Sequence, residues 1–255
     1  MYLRAAHAEL HIPSLYAFIR QNPLGILTTA IPSQNHNTIQ SSHIPWILDV
    51  LDENETSTPT AKLRGHLARA NPQSKVLIEA ATQAGTDRLE EDVMILFNGP
   101  LHHYVTPKFY VETKPNTGKV VPTWNYSAVQ VYGKATIFFN TSAPSTNAFL
   151  SKALNDLSQQ SEEGIFGYTG KGGAPKAWSV NDSPESYIGL LKKAIIGIEI
   201  EIREIGGKFK MSQELKDGDR EGVIEGFKKL GTEEGAEIAS LIRERDDMVK
   251  SAKKA

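Results

Sequence analysis

Three cationic side chains at alternate positions mark the stretch of this chain best equipped for chemistry. In KLRGHLARANPQ, residues 62–73, Lys62, Arg64 and His66 alternate with Leu63, Gly65 and Leu67. On a strand, alternate residues share a face, so one face is cationic and the other is apolar and small. The run continues through Arg69 to Asn71-Pro72. Asn is a favoured N-cap, and Pro is favoured at the first helical position. Free amides and the helix dipole both favour negative charge at such a start. The spacing predicts an anion site, and the anion expected is the phosphate of a cofactor. The bland alternative is a solvated cationic strand face with a structural His66.

A second stretch, VPTWNY at 121–126, puts Thr123, Asn125 and Ser127 on one strand face and Trp124 and Tyr126 on the other. Other motifs fall away. His102-His103 resembles a metal pair, but neighbours on a strand point to opposite faces. Gly164, Gly170 and Lys171 are one residue too widely spaced for a phosphate loop, with Gly172 where Ser or Thr should stand. No G-x-G-x-x-G follows a strand and no G-x-S-x-G occurs. With 0 Cys, disulfides, thiolate metal sites and a Cys nucleophile are excluded.

The elements that must position these residues are legible as patterns. The 255 residues, 40% hydrophobic with a net charge of -2, suit one large globular domain, or one with an extension, and argue against a broad nucleic-acid footprint. The start, MYLRAAHAEL, carries no apolar signal core, and no stretch is long enough to span a membrane, so a cytoplasmic protein is expected. Asn54, Asn125 and Asn140 sit in N-x-S/T sequons and read as chance matches. Helical spacing covers 13–21. Strand patterns cover 24–31, 39–48 and 60–68, followed by a helix at 72–81. The apolar run 93–97 reads as a buried strand, with 102–107 expected to pair with it, and 120–139 as one long or two short strands. A helix from Pro144 to about Gln160 precedes a polar loop at 161–184, read as a lid, a binding loop or a disordered segment. Another helix follows Ser183-Pro184. IIGIEIEIREI at 195–205 alternates as a strand, and GGKFKMSQ is expected to turn out of it. Two helices, about 219–230 and 233–252, close the chain. Strands outnumber helices without strict βαβ alternation, which favours an antiparallel α+β barrel.

Taken together, HIPWILD (43–49), RGHLARANPQ (64–73), FNGPLHHYVTP (97–107), GKVVPTWNYSAVQVYG (118–133), SPESYI (183–188), GKFKMSQ (207–213) and GVIEGF (222–227) resemble the PaiB-type family. That family is often labelled negative transcriptional regulators and lies within the FMN-binding split-barrel superfamily. The resemblance covers about 1–230. It implies a split β-barrel over 1–213, a C-terminal helical extension over 214–255, and a homodimer holding FMN at the shared interface. It also implies either a flavin-dependent redox protein or a flavin-linked regulator. Related split barrels that bind or degrade haem add a third reading, with His43, His66, His102 and His103 as available ligands. The chain departs from the family pattern at Ala177-Trp178, at Lys208-Phe209-Lys210, at Ser74 and in the longer 161–177 segment.

For FMN, the resemblance assigns Arg64, Arg69 and the Asn71 helix start to the phosphate, with His66 at the phosphate or the ribityl chain. Thr123 and Asn125 suit the ring edge, while Trp124 either stacks on the ring or packs on a partner subunit. His43 is a candidate to face the ring. Lys208, Ser212 and Gln213 are candidates to close over the cofactor, against the alternative of a plain charged turn. Trp178 either pins its loop or covers the flavin. The electron donor expected is a nicotinamide nucleotide or another small molecule. No helix-turn-helix or basic helix face is evident, so direct DNA contact is not expected.

Overall fold

The computed structural model describes residues 1–52 and 55–252; Asn54 lies outside them. The chain divides into two compact units, one of residues 16–97 and 130–205, the other of residues 1–15, 98–129 and those from Gly206 onward. Strands and helices alternate irregularly, the arrangement is α+β, and every pairing with a defined register is antiparallel.

The first unit holds β2 (Leu24–Ala30), β3 (Ile39–Pro45), β4 (Ile47–Val50), β5 (Ala61–Ala68) and α2 (Pro72–Ala84). It also holds α4 (Pro144–Gly164), α5 (Glu185–Lys193) and most of β6 (Arg88–Asn98), β8 (Thr123–Phe138) and β9 (Ile195–Lys210). The strand order is β3-β2-β6-β8-β9-β5-β4. Its two edge strands, β3 and β4, are consecutive in sequence, separated only by Trp46. The sheet therefore curls back on itself. A Cβ on Gly65 of β5 would sit 2.8 Å from Ile44 of β3 and 2.9 Å from Trp46, so glycine is what lets the two ends approach. Ile44, Trp46, Leu63, Ile95 and Phe97 are among the fully buried side chains of this barrel. The single strand expected at 39–48 is broken at Trp46, where the backbone switches from one edge to the other.

The second unit begins with β1 (Ala8–Glu9), which pairs with β9 at Ala8↔Lys208. The expected turn at GGKFK is instead strand, since β9 runs on to Lys210. Gly207 is needed there because a Cβ would meet Leu15 at 2.6 Å. The short β7 (His103–Val105) pairs with β8, not with the 93–97 run as the sequence suggests. The helices α6 (Asp217–Lys228) and α7 (Glu233–Ala252) enclose a core of Val105, Tyr110, Met211, Val223, Ile224, Phe227, Ile238, Ala239 and Ile242. Arg220, 7% exposed, joins the two helices through Asp246, 3% exposed, at 2.8 Å. A five-residue α3 (Thr113–Thr117), not foreseen from the sequence, rests its first amides on Asp219, with Glu112 N–H and Thr113 N–H donating at 2.8 and 3.1 Å.

Candidate functional site

The cationic face of β5 exists, but it is covered. His66 pairs with Gly197 of β9, and a Cβ on Gly197 would meet Phe149 of α4 at 2.5 Å. Residues opposite one another in a ladder share a face, so α4 lies over Arg64 and His66. Arg64 is 5% exposed and bound by two carboxylates. Its Nε and Nη2 both donate to Asp49, the latter at 2.8 Å, and Nη2 donates to Asp156 at 2.7 Å. The hydrogen bond to Asp49 raises the guanidinium pKa further, against the effect of burial. Burial alone would lift the pKa of Asp156, but Lys152 and Arg64 more than offset it and hold that carboxyl below its usual range. Lys62 pairs with Glu199 at 2.9 Å. His66 is driven toward the neutral imidazole by burial, and its Nδ1 has no hydrogen-bond partner among the described residues. Arg69 is also engaged: Nε donates to the Lys193 carbonyl at 3.2 Å and Nη2 to the Phe139 carbonyl at 2.6 Å. Both arginines expected at a phosphate thus engage carboxylates or carbonyls of the chain itself, and Arg64 Nη1 alone stays buried without a partner among the described residues.

The other half of the same stretch behaves differently. Asn71 caps α2 as expected, its Oδ1 accepting from the Gln73 amide at 2.8 Å, and Pro72 opens the helix. Asn71 Nδ2 donates to Ser42 Oγ at 3.1 Å. Gln73 is 1% exposed, and its Nε2 reaches Thr29 Oγ1 at 3.0 Å, the Gln40 carbonyl at 3.2 Å and the Leu27 carbonyl at 3.3 Å. This ties the helix start to β2 and to the edge strand β3. Three buried atoms around it remain unpartnered among the described residues: Gln40 Nε2, Gln73 Oε1 and Ser74 Oγ. Ser74 is 0% exposed. Buried polar atoms without partners cost folding free energy, so they mark a place where the chain alone does not complete its hydrogen bonding. The alternation of β3 puts Gln40 and Ser42 on the same face as buried Ile44, and Ser41 and exposed His43 on the other. Ser41 Oγ and Thr28 Oγ1 are 2.9 Å apart on that outer face.

The remaining candidates belong to the second unit. Asn125 and Ser212, each 0% exposed, bond each other twice, at 3.0 and 3.2 Å. Ser212 has φ 63, the left-handed region that a non-glycine residue rarely adopts, and the Asn125 pairing holds it there. Gln213 folds back on its own turn: its Oε1 accepts from the Met211 amide at 2.6 Å and its Nε2 donates to the Phe209 carbonyl. Thr123 accepts from Lys210 Nζ, which also reaches the Trp124 carbonyl at 3.0 Å. Glu214, held below its usual pKa despite burial by a backbone hydrogen bond, His7 and Lys210, completes this network, with His7 Nε2 at 3.0 Å. Lys208 Nζ lies 5.6 Å from the Tyr126 ring and 5.8 Å from the Tyr2 ring. Trp124 is 53% exposed and meets Tyr104 edge to face at 6.0 Å.

Among the described residues no group of three His, Cys, Asp or Glu could hold a metal ion. Among the described residues no helix is long and apolar enough to cross a membrane. His103 hydrogen-bonds its neighbour's carbonyl at 2.8 Å and packs on Phe227, as an ordinary structural histidine does. The loop after α4 is pinned through backbone: the Trp178 amide donates to Glu162 at 3.1 Å, while the Trp178 ring stays 45% exposed. Sequence reasoning gave Gln40 and Gln73 no role and noted Ser74 only as a departure from the family pattern. For Gln73 and Ser74 the signal was two polar residues directly after Asn71-Pro72 on a helix face that is turned inward and would ordinarily be apolar.

Residues 1–204 match the family described as "Putative FMN-binding domain". An uncharacterized protein of Aspergillus fumigatus is 60% identical over 263 residues, covering 97% of this chain and 98% of that protein. The protease synthase and sporulation protein PAI 2 of Bacillus subtilis is 27% identical over 244 residues, covering 96% of this chain and 95% of its own length. Among solved structures, the FAD and haem binding protein from Mycobacterium smegmatis aligns with a TM-score of 0.43 at 11% identity, over 80% of this chain and 73% of that one. At that similarity no property of it is carried over.

Proposed function

We propose, from the premise that this chain belongs to the PaiB-type family of FMN-binding domains, that it binds FMN around the start of α2 and uses it as a redox group. The observation that carries the reading is the unfilled hydrogen-bonding capacity of Gln40, Gln73 and Ser74 beside a capped helix N-terminus. A phosphate needs amides and hydroxyls, and a flavin edge needs side-chain donors and acceptors; this cluster supplies both. Asn71, Gln73 and Ser74 would hold the phosphate and ribityl end. Gln40 and Ser42 on the inner face of the edge strand would hold the ring, while His43 lies on its outer face. Arg69, Asn125, Ser212 and Gln213, whose side chains are engaged within the chain, would act as scaffold, as would Arg64 and His66 beneath α4 despite their unpartnered Nη1 and Nδ1. Bound FMN supplies hydride and single-electron chemistry, with a nicotinamide nucleotide or another small molecule as the donor expected.

The homodimer implied by the family would use a surface of the second unit, where Tyr104, Val121 and Trp124 are exposed large apolar side chains. A second copy covering them would remove apolar area from water. The regulator reading stands beside this one only through the state of the flavin, because α7 mixes acids and bases along its length. A promoter fragment retarded by the protein in a salt-dependent gel shift would revive direct DNA contact.

The test is the visible spectrum of freshly purified protein together with a fluorescence titration of FMN. Saturable quenching of FMN and a flavin absorption band are expected. A colourless protein that leaves FMN fluorescence unchanged ends the proposal. Anaerobic addition of NADH or NADPH then asks whether the bound flavin is bleached.

A further inference from the structure

We infer that the cavity between the first turns of α4 and the helix α5 is a second ligand site, made for a phosphorylated small molecule. It is a half-open cleft of about 1100 Å³, slightly above the usual size of small-molecule sites and enough for a nucleotide. It is separate from the α2 cluster in sequence: its walls come from residues 141–155 and 180–193.

Three observations specify an anion. The start of α4 has no side-chain cap, and Pro144 at its first position contributes no N–H. The next two amides, of Ser145 and Thr146, find no backbone partner among the described residues. They point out of a 21-residue helix with no acid in its first turn, so the dipole there is uncompensated. Thr146 lines the cavity and is only 4% exposed, yet its hydroxyl makes no hydrogen bond among the described residues. Lys192 reaches the same helix turns, its Nζ donating to Ser151 Oγ at 2.6 Å and lying 3.5 Å from Asn147 Oδ1. It has no carboxylate partner among the described residues. A half-buried cation balanced only by neutral oxygens favours an anionic ligand beside it.

The rest of the wall mixes neutral polar side chains, Asn155, Asn181, Ser183 and Ser186, with apolar Leu150, Val180 and Ile188, and Lys193 adds a second cation next to Lys192. Glu185 is the carboxylate on the wall, at the opposite end of α5 from Lys192. Seven residues of helix separate the two by about 10 Å. A phosphate belongs at the Lys192 end, and a ligand body with hydroxyl donors extends toward Glu185. An organic phosphate matches that polarity better than free phosphate, which would leave most of the volume unused.

Calorimetric titration of the full-length protein tests this, run with and without saturating FMN, using adenosine 5′-monophosphate, inorganic phosphate and adenosine as probes. Saturable binding of the monophosphate is expected in both conditions, with phosphate competing weakly and adenosine failing to bind. Lys192→Met should weaken the monophosphate about tenfold, the loss of one charged hydrogen bond. The near-isosteric Thr146→Val should weaken it a few-fold, and it keeps the test available if Lys192→Met does not fold. FMN titration and thermal midpoint should be unchanged in both. Absence of saturable binding, or affinity indifferent to both substitutions, overturns the site. Equal affinity for phosphate and monophosphate overturns the organic ligand. Parallel loss of FMN in the variants overturns its separation from the flavin site.

Discussion

Two polar clusters in this protein are equally buried and differently finished. Asn125 and Ser212 satisfy each other completely at 0% exposure. Gln73 and Ser74, at 1% and 0%, leave Gln73 Oε1 and Ser74 Oγ without partners among the described residues. A closed pair rigidifies a turn and asks for nothing more. An open cluster is a cost the fold carries until something else completes it. Burial and polarity do not distinguish these two clusters; the unfilled donors and acceptors of the second do. Arg64, the most conspicuous cation in the sequence, falls between the two: Nε and Nη2 are held by Asp49 and Asp156, while Nη1 is buried without a partner among the described residues.

The largest expected effect sharpens that assignment. Arg64→Met leaves Asp49 and Asp156 facing each other under α4 without their shared cation. Removing one partner of a buried ion network costs about 3 kcal/mol, toward the low end because both carboxylates keep contact with water. The urea midpoint should fall accordingly, while FMN affinity of the folded fraction stays within twofold. An intact midpoint with lost FMN binding would return Arg64 to the cofactor.

Asn125→Leu should cost about 2 kcal/mol, since it strands buried Ser212 Oγ in a left-handed turn without its side-chain partner. Chemical denaturation reads it, and FMN titration should again be unmoved. Ser74→Ala is expected to do the reverse. Stability should stay within about 0.5 kcal/mol, because the hydroxyl removed has no partner to lose. FMN affinity should drop roughly tenfold if that hydroxyl serves the cofactor. A Ser74→Ala protein that binds FMN normally would break the contrast between open and closed clusters.

How far the sequence reaches can be judged from particular elements. Strands β2, β5 and β9 announce themselves because one face is apolar and the pattern repeats every second residue. The first half of β6 does not: between Arg88 and Asp92 only Leu89 is buried, so it reads as loop. The pairing of β7 was missed because three residues carry too little pattern to name a neighbour. Asn71-Pro72 gave the helix start to the residue. The faces of β5 were also correctly divided, but what lies over each face depends on α4, which arrives some eighty residues later. Local pattern says which side chains share a surface. It does not say whether the surface meets solvent, a helix or a ligand. The same gap affects α5, whose Tyr187, Leu190 and Leu191 repeat at helical spacing yet remain exposed.

The smallest effect concerns His66, the histidine on the covered face of β5. Burial lowers the pKa of His66 below its ordinary 6.5, so the folded protein holds it neutral where the unfolded chain would protonate it. The sign follows: a depressed folded pKa gives stability that is complete above about 6.5 and is lost as pH falls through the lower folded value. His66→Gln has no proton to take up. Urea midpoints measured at pH 8, 6.5 and 5.5 should therefore converge, the wild type losing more than the variant on acidification. If FMN affinity instead fell with His66 protonation while the midpoints tracked each other, the imidazole would be facing the cofactor. The scaffold reading of β5 would then fail for His66 even where it held for Arg64.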